Sequence, residues 1–254
     1  MKPRTLNVHR LPRHVDQHAL ADSVVVVIDV LRATSSICQA IASGAAEVMP
    51  FLEIDKAVAA ANRLGRENVV LGGERKGGRI DGFDLGNSPR DYTPAAVGGR
   101  SVLITTTNGT RALAHAREAR RVLVGAIVNL SAVVASIKDE PRIDILCAGT
   151  DGKETGEDIL AAGGMVDQLC KLPSAHDWQL NDAAVAARRD WAFVVEKAQV
   201  AGRPLAEQLA IELRETPGGR NLIGIGLDAD LVDCAELDRL KIVPELDISS
   251  WRIR

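Results

Sequence analysis

The apolar residues of this chain fall into short continuous blocks. Residues 23–28, SVVVVI, are unbroken and largely β-branched, the pattern of a parallel strand buried on both faces. Similar blocks lie at 47–52, 68–71, 101–104, 121–125 and 144–148, and residues 6–11, with Leu6, Val8 and Arg10 alternating, add a strand at the front. Between the blocks the spacing turns helical. SSICQAIAS puts Ile37 and Ile41 on one face, with Thr34 as cap and Gly44 as stop. Helices are also predicted over 54–64, 111–119, 131–137 and 159–172. This alternation predicts an α/β fold, a three-layer α/β/α sandwich on a parallel or mixed sheet.

Two segments share one order. Residues 28–58 and 104–134 both run strand, polar turn, helix, short strand, helix; Thr34 matches Thr110, Ile37 matches Leu113, and Glu47-Val48 resembles Arg121-Val122. An internal duplication is therefore expected. Residues 72–89, GGERKGGRIDGFDLGNSP, make a long charged, glycine-rich stretch. Unstructured loops of that length are uncommon and usually functional, and Phe83 and Leu85 are expected to anchor this one as an ordered active-site loop. After Pro173 the pattern becomes helical over 181–200, capped by Asn181 or Asp182, and over 204–215, stopped by the TPGG of 216–219. A short helix over 227–234 and a closing strand within 241–248 follow. No linker composition interrupts the chain, so a single domain over 1–254 is expected. It divides into an alternating core, 1–172, and a helical cap with closing strand, 173–254.

Composition narrows the function classes. Net charge is −3 and aromatics are 3% of residues, which leaves neither a basic footprint nor stacking platforms for nucleic acid. The apolar blocks are too short to span a bilayer, and MKPRTLNVHRLPRHVDQ has no apolar signal region; a cytoplasmic location without a membrane partner is expected. Cys38, Cys147, Cys170 and Cys234 form no CxxC pair and read as buried free thiols. His9, His14, His18, His115 and His176 show no ligand spacing, and His115 is expected on a helix surface. The P-loop, GxGxxG, GxSxG and HExxH patterns are absent.

What remains lies where the predicted strands end, the ligand-binding edge of open α/β sheets. Asp29, Arg32 and Thr34 follow one strand, Glu74 and Arg75 another, Thr105 to Thr110 (TTTNGT) a third, and Asp151, Glu157 and Asp158 a fourth; Asp84, Asn87 and Ser88 lie in the long loop. Each has a plain structural reading. Asp29 can cap a helix, Glu157 and Asp158 suit a first helical turn, and Glu74 can pair with Arg75 or Lys76. Pooled at one edge, the set changes meaning: carboxylates for a hard cation beside hydroxyls, N–H groups and an Arg for a phosphate. That combination points to Mg²⁺-assisted phosphoryl chemistry on a small anionic substrate.

The motifs Asp29-Val30-Leu31-Arg32-Ala33-Thr34, Gly73-Glu74-Arg75, Gly82-Phe83-Asp84-Leu85-Gly86-Asn87-Ser88-Pro89, Thr105-Thr106-Thr107-Asn108-Gly109-Thr110, Cys147-Ala148-Gly149-Thr150 and Glu157-Asp158 resemble the 2-phosphosulfolactate phosphatase family over nearly the whole chain. The resemblance implies a Mg²⁺-dependent phosphatase that hydrolyses (R)-2-phospho-3-sulfolactate to 3-sulfolactate and phosphate, a step of coenzyme M biosynthesis. It also implies an α/β/α sandwich and a homo-oligomer, expected as a dimer. Asp29, Arg32 and Glu74 are then the catalytic candidates. Asp29, Glu74, Asp84, Glu157 and Asp158 are the metal-side acids, and Arg32, Arg75, Thr106, Thr107, Asn108, Gly109 and Thr110 hold the phosphate. Arg75, Lys76, Arg79 and Arg220 are the cations available to a sulfonate. Water attack and an aspartyl-phosphate on Asp29 both stay open, although position 31 is Leu and so breaks a DxD pattern. A transferase or lyase using the same cradle, and a non-catalytic anion-binding protein, are the readings from other classes.

Overall fold

Val24, Val26 and Ile28 pack into one core while Val25 and Val27 pack into another, so the strand that carries them is covered on both faces. It is β2 (Val24–Ile28) of a computed structural model that describes residues 4–172 and 178–254; Pro173 and His176 of the sequence reading lie outside the described residues. Before it comes β1 (Arg4–His9), and after it α1 (Ala33–Ala42), β3 (Glu47–Pro50), α2 (Ile54–Leu64), β4 (Val69–Arg75) and the short β5 (Gly78–Arg79). The chain continues through α3 (Pro94–Val97), β6 (Ser101–Thr105), α4 (Gly109–His115), β7 (Arg121–Gly125), α5 (Leu130–Ile137), β8 (Arg142–Cys147) and α6 (Gly156–Lys171). The C-terminal part holds β9 (Trp178–Leu180), α7 (Asp182–Val200), α8 (Leu205–Glu215), α9 (Pro217–Gly224), α10 (Ala229–Ala235), β10 (Glu245–Asp247) and β11 (Arg252–Ile253).

The strands form one mixed sheet in the order β5-β4-β6-β3-β11-β10-β7-β2-β8-β1-β9. Two parallel groups, β4-β6-β3 and β7-β2-β8-β1-β9, are joined by the antiparallel β10–β11 hairpin. Arg252 and Arg254 close on Glu47 at 2.7 and 2.8 Å and fasten that hairpin to β3. One core lies between β1, β2, β8 and helices α5 to α8 with α10; the second gathers α1 and α4 with β3, β6 and β7. A smaller third core seats α2 and Phe83 against β4 and β6. Burying one such Val, Leu or Ile side chain is worth roughly 1.5–3 kcal/mol, and it is this two-sided burial that selects unbroken apolar runs.

The two similar segments interlock. β2, the first strand of one, pairs with β7, the second strand of the other, and β3 pairs with β6 in the same exchange. The first residues of α1 and α4 meet where the segments cross: a Cβ on Gly109 would fall 2.4 Å from that of Ala33.

Five expectations are corrected. The stretch 72–89 is not a plain loop: β4 runs on through Glu74 and Arg75 and turns at Lys76 and Gly77 into β5. Both turn residues have positive φ, 53° and 80°, as a two-residue type I′ hairpin requires. Beyond it Phe83 is buried, Leu85 bridges to Gly72, and Tyr92 Oη and Ser36 Oγ donate to the Gly86 and Asn87 carbonyls. The TPGG of 216–219 starts a helix as well as stopping one, because Thr216 Oγ1 accepts from Gly219 N at 3.0 Å and Pro217 occupies the first turn of α9. The segment after 173 supplies strands β9, β10 and β11 to the sheet and is therefore more than a cap. Cys170 is only half-buried, unlike the other three free thiols. The helix expected over 111–119 ends at His115, whose Nε2–H donates to the Val15 carbonyl at 2.9 Å. No helix among the described residues is long and apolar enough to cross a membrane.

Candidate active site

The acids at the strand ends are fixed by backbone before any ligand is considered. Asp29 leaves β2, and Thr34 Oγ1 accepts from its N–H at 3.0 Å and donates to its carbonyl at 2.9 Å. Ala33 N–H donates to Asp29 Oδ1 at 3.3 Å. Opposite, a Cβ on Gly109 would stand 2.8 Å from Asp29 Oδ2, so only glycine lets the turn after β6 come this close. In that turn Thr110 N–H donates to Thr106 Oγ1 at 3.1 Å and Thr110 Oγ1 to the Thr106 carbonyl at 2.8 Å. Asn108 Oδ1 accepts from Asp151 N–H at 3.3 Å. The hydroxyls of Thr106 and Thr110 thus hold the turn itself, whereas Thr107 Oγ1 is buried without a partner among the described residues.

Glu74 and Asp158 are clamps. Glu74 Oε1 accepts from Thr107 N–H at 2.7 Å and Oε2 from Gly77 N–H at 2.8 Å, tying the hairpin to the Thr-rich turn. Asp158 Oδ1 accepts from Val30 N–H at 2.8 Å and Oδ2 from Gly149 N–H at 3.0 Å, tying the ends of β2 and β8 to the first turn of α6. Its neighbour Glu157 is buried under α9, where a Cβ on Gly218 would meet Oε1 at 2.3 Å, and Oε2 finds no hydrogen-bond donor among the described residues.

Four carboxylates in one buried space repel one another. Burial, and then Asp158, push the Asp29 carboxyl well above its usual range, with Glu74 and Glu157 adding to the rise against the Ala33 amide. Glu157 is pushed up to about 7 by burial and by Asp158. Asp158 is pushed up to about 6 by burial, against the Val30 and Gly149 amides that favour its charge. Among the described residues no three His, Cys, Asp or Glu side chains form a ready-made metal cage. The donor set still fits Mg²⁺, which takes hard oxygens, keeps several waters and needs only one or two carboxylates besides a substrate phosphate. The orphaned Glu157 Oε2 and the mutual repulsion are both features that a divalent cation relieves.

Arg32 is 3% exposed, and its guanidinium bridges two distant parts of the chain. Nη1 donates to Asp230 Oδ2 at 2.7 Å and Nη2 to the Gly77 carbonyl at 2.7 Å; Ser88 Oγ donates to Asp230 Oδ1 at 2.6 Å. Asp230, 1% exposed in α10, is a site residue that the sequence reading missed. Beside this triad opens a pocket of about 540 Å³ whose walls include Arg32, Arg79, Gly86, Asn87, Ser88 and Asp230. Two candidates are not brought to the acids or the turn's interior. Asp84 is 41% exposed at its side chain, pairs with Arg66 at 2.9 Å and accepts from Leu71 N–H at 2.8 Å. Arg75 turns back on the backbone, donating to the Glu74 and Leu52 carbonyls and to Thr105 Oγ1 at 2.8, 3.2 and 3.0 Å.

The comparisons with known proteins agree in one direction. A family model described as 2-phosphosulpholactate phosphatase matches residues 9–248. The chain is 36% identical over 242 residues to a protein of Caldanaerobacter subterraneus subsp. tengcongensis, with 95% of each covered. It is 38% identical over 226 residues to one of Symbiobacterium thermophilum, covering 89% of this chain and 91% of the relative. A Prochlorococcus marinus protein is 38% identical over 236 residues, with 91% of each covered. All three relatives carry the name "Probable 2-phosphosulfolactate phosphatase". With its clamped acids, its hydroxyl-rich turn and a match that runs through nearly all of its length, the chain belongs to the 2-phosphosulpholactate phosphatase family.

Proposed function

We propose that this protein is a Mg²⁺-dependent phosphoric monoester hydrolase that converts (R)-2-phospho-3-sulfolactate to 3-sulfolactate and inorganic phosphate. The observation that carries the reading is the buried quartet Asp29, Glu74, Glu157 and Asp158 set against the Thr-rich turn. Acids repel a phosphate unless a cation lies between them, and membership of the family supplies the substrate class. Asp29 and Glu157 would hold the metal, since the oxygens of Glu74 and Asp158 are already engaged by backbone amides. When bound, Mg²⁺ supplies charge neutralisation at the phosphoryl oxygens.

The chain's own groups do the rest. Arg32 and the unpartnered Thr107 hydroxyl bind phosphoryl oxygens, and the Thr106–Thr110 bonds hold rigid the turn that presents that hydroxyl. Burial of the quartet excludes bulk water. Hydrolysis forms a P–O bond from water and breaks the ester P–O bond; Asp29, the acid facing the turn at Gly109, takes the proton of that water and returns it to the leaving oxygen, or attacks phosphorus itself to give an aspartyl-phosphate that water then hydrolyses as the leaving oxygen takes up a proton.

Phosphate release from 2-phosphosulfolactate, with Mg²⁺ and with EDTA, tests the reading. Release that needs the metal is expected; no release from folded protein with Mg²⁺ present refutes it. Trapping of a phosphoenzyme that disappears in Asp29→Asn separates the two routes, because direct water attack forms none.

A further inference from the structure

The substrate proposed above carries a phosphate, a carboxylate and a sulfonate, and Arg32 alone cannot match all three. Of the four cations available to the sulfonate, Arg75 is engaged by the backbone and Thr105. Lys76 sits exposed at the hairpin turn and does not line the pocket. Arg220 reaches from α9 toward Glu215 at 3.5 Å, with its side chain 68% exposed. Arg79 does line the pocket, together with Arg32. It stands directly across the β4–β5 hairpin from Glu74, and cross-strand partners share a face, so Arg79 rises beside an acid of the buried quartet.

The other charges in the pocket wall are matched. Arg32 pairs with Asp230, Arg90 with Asp233 at 3.2 Å, Asp84 with Arg66, and Asp91 Oδ2 accepts from Gly86 N–H at 3.2 Å. Arg79 makes one long contact, Nη1 to the Asp84 carbonyl at 3.4 Å, and no carboxylate pairs with it among the described residues. Asn87, 4% exposed in the same wall, has an amide oxygen with no donor among the described residues. Among the described residues nothing fixes which end of that amide faces the pocket, so its NH₂ is free to turn toward an anion.

We infer that Arg79, seconded by Asn87, is the subsite for the sulfonate and so decides which 2-phospho acids this protein accepts; the inference rests on the phosphatase reading. A guanidinium fork presents parallel donors to adjacent anion oxygens, and an amide NH₂ takes a third.

The test compares wild type, Arg79→Met and Arg79→Lys on 2-phosphosulfolactate and on 2-phospholactate, which lacks the sulfonate. Calorimetric binding of 3-sulfolactate is measured alongside. Arg79→Met is expected to raise KM for the sulfonated substrate by about tenfold or more, while kcat and the 2-phospholactate reaction stay within about twofold. Arg79→Lys recovers part of the loss, and 3-sulfolactate binding weakens in step with KM. Equal losses on both substrates, or unchanged KM and binding, overturn the inference. If wild type releases phosphate from neither substrate, the hydrolase reading fails and calorimetry decides alone: 3-sulfolactate binding that needs Arg79 sustains the subsite, and binding indifferent to Arg79, or absent, overturns it.

Discussion

Arg32 is held from two sides, and Asp230 is the side a single substitution can remove. Asp230→Ala leaves a buried guanidinium with only the Gly77 carbonyl as acceptor. Breaking a buried pair this way costs about 3–5 kcal/mol, which for a chain of this size lowers Tm by about 10 °C. Thermal unfolding of Asp230→Ala beside Asp230→Asn checks this; the amide keeps an acceptor for Arg32 and loses less. Gly109→Ala is a finer probe. Its methyl would press on Ala33 and Asp29 Oδ2, and displacing a reacting group by about 1 Å costs about 10²-fold in rate. Phosphate release should therefore collapse while the far-UV circular dichroism spectrum is kept.

Elements were legible where their signal is local. SVVVVI announces β2, and TTTNGT announces a turn, because burial on both faces and hydroxyl–backbone bonding select residues over a few positions. Legibility fails where the deciding partner is remote. Asp230 reads as an ordinary first-turn acid of α10, since the Arg32 it faces is 198 residues away. Arg75 reads as a phosphate ligand, yet its fork is taken by Leu52, just past β3, and by Thr105 of β6. Asp84 looks equal to Glu74 in sequence, and only the hairpin between them sends one inward and the other to Arg66. The TPGG of 216–219 misleads because Pro and Gly end helices as often as they flank new ones; Thr216, the cap, was the signal available.

At the scale of the molecule the quartet links stability to pH. Glu157 and Asp158 are raised in the folded state, to about 7 and about 6, from about 4.3 and 3.9 in an unfolded chain. The folded state therefore binds more protons between those limits, and stability falls as pH climbs from about 4 to about 7. In EDTA, Tm at pH 8 should lie below Tm at pH 5.5, and Glu157→Gln should flatten the slope. Mg²⁺ should raise Tm more at pH 8 than at pH 5.5, because protons compete for the same oxygens. A Tm that is flat or rising in EDTA across this range would contradict the buried-acid account.

The exchanged pairing of β2 with β7 and β3 with β6 has a consequence for how the chain can be divided. A break in the exposed turn at Gly98–Gly99 would leave 1–98 with β4–β5 as its sole strand pair, and 99–254 with only β7–β10–β11; every other described pairing crosses the break. Neither piece could bury its apolar strands alone, yet together they hold the complete sheet. Expressed apart, the two pieces should be unstructured or aggregate; co-expressed, they should assemble into an active heterodimer. Such a split protein would report the proximity of any two partners fused to its halves.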